Sequence, residues 1–282
     1  MNKIAKQSPI QSLTINSFRK MKQKHEKIVM LTAYDYPSAK LAEAAGVDLL
    51  LVGDSVGMVV HGYPNTLQVS LEEMVNHTIA ARNGAPNAFI VADMPYETYH
   101  ISLEDTKRNA FELIIKGKAD AVKIEGGSQS RLLAIQAIVD CEIPVVAHLG
   151  LTPQSIHVFG GYKVQGKEEK QYQVILEQAI AVEKAGAFML VLEGIPEALG
   201  KEITAKVGIP TIGIGAGRYT DGQVMVYHDI LGMSDLLPKF VKQYANLSAT
   251  ISKAIGEYIK DVKSEKFPAE EHIYFPIDKK TK

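Results

Sequence analysis

Eight short runs of near-continuous apolar residues recur along the chain, each separated from the next by a connecting segment. They are IVMLTAYD (28–35), DLLLVGDS (48–55), AFIVADM (88–94), AVKIEGG (121–127), PVVAHLG (144–150), FMLVLEG (188–194), PTIGIGAG (210–217) and QVMVYHDIL (223–231). Unbroken Val/Ile/Leu runs suit parallel strands covered on both faces, whereas a sheet with one wet face alternates apolar and polar residues. Helical segments follow most of the runs, at 38–46, 70–84, 102–118, 128–140, 167–186 and 196–207. Ser70-x-x-Glu73 fits a capping box, Ser102-x-x-Asp105 is a weaker start signal, and Gly46 is a helix stop. Eight such βα units predict an α/β fold, a closed (β/α)8 TIM barrel, with a doubly wound open sheet as the alternative.

No linker or change of composition divides the chain, so residues 1–282 read as one barrel domain. An extra helix is expected at 14–26 before the first strand, a terminal helix at 244–265, and flexible ends at 1–13 and 276–282. The connections 56–69 and 151–166 are long, and in a barrel both lie on the C-terminal face where binding loops gather.

The 31 Lys and Arg against 32 Asp and Glu give a net charge of −1, which argues against a non-specific nucleic-acid binder. No apolar stretch is long enough to span a membrane. The single cysteine, Cys141, excludes an internal disulfide framework and sits before a strand, at the structural end of the barrel. The N-terminal residues lack an apolar signal core, which favours a cytoplasmic protein, an organelle transit peptide being the other reading.

The runs end in polar residues: Gly53-Asp54-Ser55, Asp93, Lys123 and Glu125, His148 and Glu193. Residues two apart in a strand share a face, so Val122 and Ile124 are expected to meet the outer helices, and Lys123 and Glu125 the barrel interior. Asp54, Asp93 and Glu125 would then crowd negative charge at one mouth, which a hard divalent cation relieves; Mg2+ fits, and Mn2+ can substitute. Taken singly, Asp54 is also a cap candidate, Asp93 a turn residue before Pro95, and Lys123 with Glu125 an ion pair. Glu193, behind an apolar run, suits a general base or acid, or a cap for the next helix. His148 is either a substrate contact at the mouth or an internal hydrogen-bonding group. Gly213–Gly217 reads as a phosphate loop or, preferably, as a close-packed strand end, because GxGxxG spacing is missing. His61, His77 and His100 have no metal spacing and read as surface or loop residues.

Several of these segments together, VGDSVGM, VADMPY, VKIEGG, GLTPQSIHVFGGYKVQG, LVLEGIP and IGIGAGRYTDGQ, closely resemble the ketopantoate hydroxymethyltransferase family, with the likeness running from about residue 12 to 275. The resemblance implies transfer of a one-carbon unit from 5,10-methylenetetrahydrofolate to 3-methyl-2-oxobutanoate, giving 2-dehydropantoate and tetrahydrofolate on the route to pantothenate. It implies Mg2+ held by Asp54 and Asp93, with Glu125 completing the shell directly or through water. It implies substrate contacts at Asp54, Ser55, Asp93 and Lys123, a proton acceptor at Glu193, and a homodecamer. Two other readings stand beside it. One is a Mg2+-dependent, folate-independent carboligase or lyase of α-keto acids, similar to the phosphoenolpyruvate mutase and isocitrate lyase group, which often uses a loop cysteine that this chain lacks. The other is a catalytically inactive binding barrel.

Overall fold

The computed structural model describes residues 12–234 and 237–276, so most of the two expected flexible ends lie outside the described residues. These residues form two compact units: 12–227 with 238–241, and 228–234, 237 and 242–276. The first unit is a closed parallel barrel of eight strands in sequence order, β1 (Ile28–Thr32), β2 (Leu49–Val52), β3 (Phe89–Asp93), β4 (Ala121–Glu125), β5 (Val145–Gly150), β6 (Met189–Glu193), β7 (Thr211–Ile214) and β8 (Gly222–Met225). β1 pairs with β8, which closes the ring and leaves no sheet edge. The open-sheet alternative is thereby excluded.

Side chains alternate across every strand. Leu50, Val52, Ile90, Val122, Ile124, Ala147 and Leu190 join the layer beneath the helices, packed with Ala134, Ile135 and Ile138. Met30, Leu49, Leu51, Phe89, Val91, Ala121, Val146, Met189, Val191 and Ile212 fill the barrel interior. The predicted orientation of Val122 and Ile124 is therefore the observed one. The helix Ile15–Gln23 supplies Phe18 to this inner core, fully buried and edge-on to Phe89 at 5.2 Å. Burying a ring of that size contributes roughly 1.5–3 kcal/mol. Lys22 of the same helix pairs with Asp221 at 2.7 Å, and Asp221 also accepts from the Thr211 N–H, tying the helix to β7 and β8.

Helix starts follow side-chain caps. Ser70 and Glu73 make the reciprocal bonds of a capping box at the helix Leu71–Gly84, and Ser102 accepts from the Asp105 N–H at the helix Leu103–Phe111. Replacing Ser70 by Ala leaves an N-terminal donor without its partner and is expected to lower stability by about 1 kcal/mol in urea unfolding. Two expected boundaries differ. The first apolar run extends to residue 35, but β1 ends at Thr32, because Asp35 caps the helix Tyr36–Ala45 and its carboxylate accepts from the Ser38 N–H at 2.8 Å. The eighth run, expected as a strand over 223–231, yields only β8 and then a helical turn, Tyr227–Ile230. No helix lies between β7 and β8; residues 215–221 return through a series of bends with Gly215 and Gly217 at positive φ, which suffices because a four-residue strand rises only about 13 Å.

In the second unit, the helix Leu247–Lys263 carries Ile251, Ile255, Tyr258, Ile259 and Val262 exposed. No helix among the described residues is long and apolar enough to cross a membrane.

Candidate active site

Above the apolar layers of the barrel interior, the same inward-facing positions turn polar. Asp93, Lys123, Glu125, His148 and Glu193 continue the rows that Phe89 and Val91, Ala121, Val146, and Met189 and Val191 begin. The strand register sets Asp93 beside Lys123, and Glu125 beside His148. The structure thus gathers these residues, separated by up to a hundred positions in the chain, at the C-terminal mouth of the barrel.

The Lys123 ammonium is the hub. It lies 3.1 Å from Asp93 Oδ1, 3.5 Å from Glu125 Oε1 and 3.2 Å from His148 Nδ1. Its side chain is 4% exposed. Burial opposes its charge, but Asp93, Glu125 and Asp54 outweigh burial and hold the ammonium protonated, above its ordinary range. His148 sits between two carboxylates, Nδ1 3.1 Å from Glu125 Oε1 and Nε2 3.4 Å from Glu193 Oε2. Burial and then Lys123 push its pKa down, but the Glu125 carboxylate and the hydrogen bonds His148 donates to Glu125 and Glu193 carry it up to about 9. His148 is therefore an internal link of the network that joins Glu193 to the buried set. Burial pushes Glu125 up, yet Lys123 and His148 prevail and bring it down to about 2. Glu193, 16% exposed at its side chain, is the most accessible of these groups.

Asp54 stands just past β2, where its backbone N–H donates to Asp93 Oδ2 at 3.0 Å. Gly53 allows this approach: a Cβ there would lie 2.9 Å from Ser55 Oγ and 3.4 Å from Asp93 Oδ2. Burial first, then the charges of Asp93 and Glu125, raise Asp54 well above the usual carboxylate range. Burial raises Asp93 too, against the pull of Lys123. Ser55 Oγ lies 2.8 Å from Tyr34 Oη at the rim.

Sequence reasoning missed the residue that ties these carboxylates together. Gln154, in the loop after β5, donates from Nε2 to Asp54 Oδ2 at 2.7 Å and to the Met94 carbonyl, and from its backbone N–H to Glu125 Oε2 at 3.0 Å. Tyr99 Oη in turn donates to the Gln154 side-chain carbonyl and accepts the Glu125 N–H. The two long connections also meet, Tyr162 Oη donating to Met58 Sδ at 3.4 Å. His61 and His77, treated as unrelated, have Nε2 atoms 3.0 Å apart, and His77 Nδ1 donates to the Tyr34 carbonyl. Only the fold brings that pair together.

Glu193 does not cap the following helix, Glu197–Lys206, whose cap position is Pro196. Nor do the glycines of 213–217 form an open phosphate cradle: a Cβ at Gly213 would reach 2.7 Å from Thr220 Oγ1, and one at Gly217 2.5 Å from Glu197 Cβ.

Asp54 and Asp93 present hard oxygens in a site with surplus negative charge, and Asp93 Oδ1 has the Lys123 ammonium as its neighbour at 3.1 Å. That donor set fits Mg2+, which is commonly bound through one or two carboxylates, with water and substrate oxygens filling the other positions. Among the described residues no group of three or more His, Cys, Asp or Glu is placed to hold a metal. Glu125 Oε1 faces Lys123 and His148, and its Oε2 accepts the Gln154 N–H.

Comparison with solved structures gives the fold. A 2,3-dimethylmalate lyase of the PEP mutase/isocitrate lyase superfamily matches with a TM-score of 0.59 at 17% identity, covering 95% of this chain and 91% of that one. A phosphonopyruvate hydrolase, solved with oxalate and Mg2+, matches with a TM-score of 0.60 at 13% identity, covering 92% and 93%. The sequence comparisons are closer. A 3-methyl-2-oxobutanoate hydroxymethyltransferase from Geobacillus sp. is 56% identical over 262 residues, 93% of this chain and 94% of its own. The Bacillus subtilis enzyme of that name is 54% identical over 258 residues, 91% and 93%. The family model described as ketopantoate hydroxymethyltransferase matches residues 12–270. With that match spanning the whole barrel and more than half of the aligned residues shared with these relatives, the chain belongs to the ketopantoate hydroxymethyltransferase family, transferases of one-carbon units.

Proposed function

We propose that this chain transfers the one-carbon unit of 5,10-methylenetetrahydrofolate to 3-methyl-2-oxobutanoate, giving 2-dehydropantoate and tetrahydrofolate in pantothenate biosynthesis. The observation that carries this reading is a cation-demanding carboxylate pair, Asp54 and Asp93, beside the accessible Glu193 in one barrel mouth. Asp54 and Asp93 would hold Mg2+, with Mn2+ as a substitute and Glu125 reaching the ion through water. When bound, the ion acts as a Lewis acid toward the keto oxygen and makes the neighbouring C3–H more acidic.

The chain's own residues supply the rest. Ser55, with Oγ braced by Tyr34, binds the keto-acid carboxylate. Lys123, held protonated, contributes positive charge where the enolate oxygen develops. The Glu193 carboxylate takes the C3 proton. Water adds to the methylene carbon as both of its bonds to folate nitrogens break and each nitrogen takes up a proton, which frees tetrahydrofolate and a carbonyl-level one-carbon unit; the C3 electron pair then bonds to that carbon, and its oxygen takes back a proton as the product hydroxyl. The loops 56–69 and 151–166, joined through Tyr162 and Met58, limit water at the mouth. Association into a homo-oligomer, a decamer in the family resemblance, belongs to the same proposal and is supported by the exposed apolar side chains of the helix Leu247–Lys263. So does a cytoplasmic location.

The deciding experiment follows C3 deuterium exchange of 3-methyl-2-oxobutanoate by NMR. Exchange is expected with Mg2+ and no folate, and 2-dehydropantoate only once methylenetetrahydrofolate is added. Exchange that persists in excess chelator would remove the metal from the scheme, and no exchange at all would remove the keto acid. Asp93→Asn is expected to raise the Mg2+ concentration needed for half-maximal exchange by about 10–100-fold.

A further inference from the structure

A cleft of about 510 Å³ opens beside the site, between the loops that follow β4 and β5, and nothing in the keto-acid half of the reaction uses it. Its volume is in the range of sites for drug-sized ligands. Its inner end is formed by Glu125 and Gly150, the latter paired in register with Glu193, so a ligand lying in the cleft reaches the reaction centre. Its walls carry Tyr96, Tyr99, Val174 and Gln178.

The charge in the cleft is uneven. Glu125, at the inner end, is already paired with Lys123 and His148. Toward the outside, the guanidinium of Arg131 lies over the Tyr99 ring, 4.9 Å from its centroid, and donates once, to the Tyr99 carbonyl. Among the described residues it has no carboxylate partner. The cleft is also bordered by the first turns of the helices Gln129–Val139 and Glu169–Lys184, whose N-terminal ends favour an anion. An elongated ligand with a flat ring system at one end and carboxylates at the other matches this polarity.

We propose that this cleft holds the folate co-substrate, with its one-carbon end at Glu125 and Gly150 and its glutamate carboxylates on Arg131, which makes Arg131 a specificity residue for the anionic tail. This inference rests on the function proposed above, and its test separates the two. Val174 is exposed on the cleft wall, so Val174→Trp fills the cleft from a helix surface without touching the core. It is expected to raise KM for methylenetetrahydrofolate at least tenfold and to leave KM for 3-methyl-2-oxobutanoate within twofold. Arg131→Gln is expected to raise KM about tenfold for methylenetetrahydrofolate and not for methylenetetrahydropteroate, which lacks the glutamate. Unchanged folate KM in Val174→Trp, or an equal shift with both co-substrates in Arg131→Gln, overturns the proposal.

A second measurement does not depend on turnover. In Val174→Cys, tetrahydrofolate is expected to slow alkylation of the new thiol against the Cys141 background of the unaltered chain; an unchanged rate again overturns the assignment. Absence of one-carbon transfer in the unaltered chain would instead overturn the function itself.

Discussion

Glu193→Gln is expected to slow C3 deuterium exchange of 3-methyl-2-oxobutanoate by about 10²–10⁴-fold, the usual contribution of a positioned general base. The amide keeps the shape of the side chain and its place beside His148 Nε2, 3.4 Å away in the intact site, but it cannot take a proton. Asp54, Asp93 and Ser55 are untouched, so calorimetric binding of the keto acid in Mg2+ is expected to change little. Exchange at the full rate in this variant would give the proton to another group. Loss of keto-acid binding together with exchange would place Glu193 in substrate binding instead.

Removing the central cation should have a comparable effect on stability. Lys123→Met leaves Asp93, Glu125 and Asp54 buried with His148 as their nearby cation, and breaking a buried pair in this way costs about 3–5 kcal/mol. The pH dependence has a definite sign. In the intact chain Glu125 is held at about 2 against an ordinary 4.5, so its contribution is full above its unfolded pKa and is lost as pH falls from there toward its folded one. Asp93 and Asp54 are raised on folding, and Lys123 pulls both down. Without it they rise further, and the folded variant binds protons more readily than its unfolded chain. The stability gap between variant and intact protein should therefore be widest near pH 8 and narrow toward about pH 5, as urea unfolding in excess chelator would show. A gap independent of pH would mean that Lys123 acts through packing alone. Added Mg2+ should recover part of the loss near pH 8, because a dication replaces the missing charge.

Much of this site was legible before any coordinates. The period-two rule placed Lys123 and Glu125 inside and Val122 and Ile124 outside, and the capping box at Ser70 and Glu73 is present as written. Strand ends were less legible. Run 28–35 continues past Thr32 in apolar character, but the carboxylate of Asp35 bonds to the backbone of Ser38 and turns the chain into a helix. Run 223–231 has strand-like composition and ends as a helical turn.

Gln154 is the clearest omission. A glutamine in a loop has no periodicity and no distinctive chemistry, and its importance comes from reaching Asp54, a hundred residues away, while its own N–H meets Glu125. Tyr99, which completes that bridge, lies in a short turn with equally little local signal. The surroundings of Glu125 were equally illegible. The sequence reading has it completing a metal shell directly or through water, and only the fold shows its oxygens meeting Lys123, His148 and the Gln154 N–H.

The sequence by itself determined the barrel, the inward rows and the family, because strand periodicity, repeated punctuation and shared motifs are local or directly comparable properties of the chain. Only the tertiary structure decided how the buried carboxylates pair with Lys123 and His148, that Gln154 and Tyr99 bridge them, and where a cleft adjoins them. Those depend on distances and burial between residues far apart in the chain, and closure of the barrel sets both.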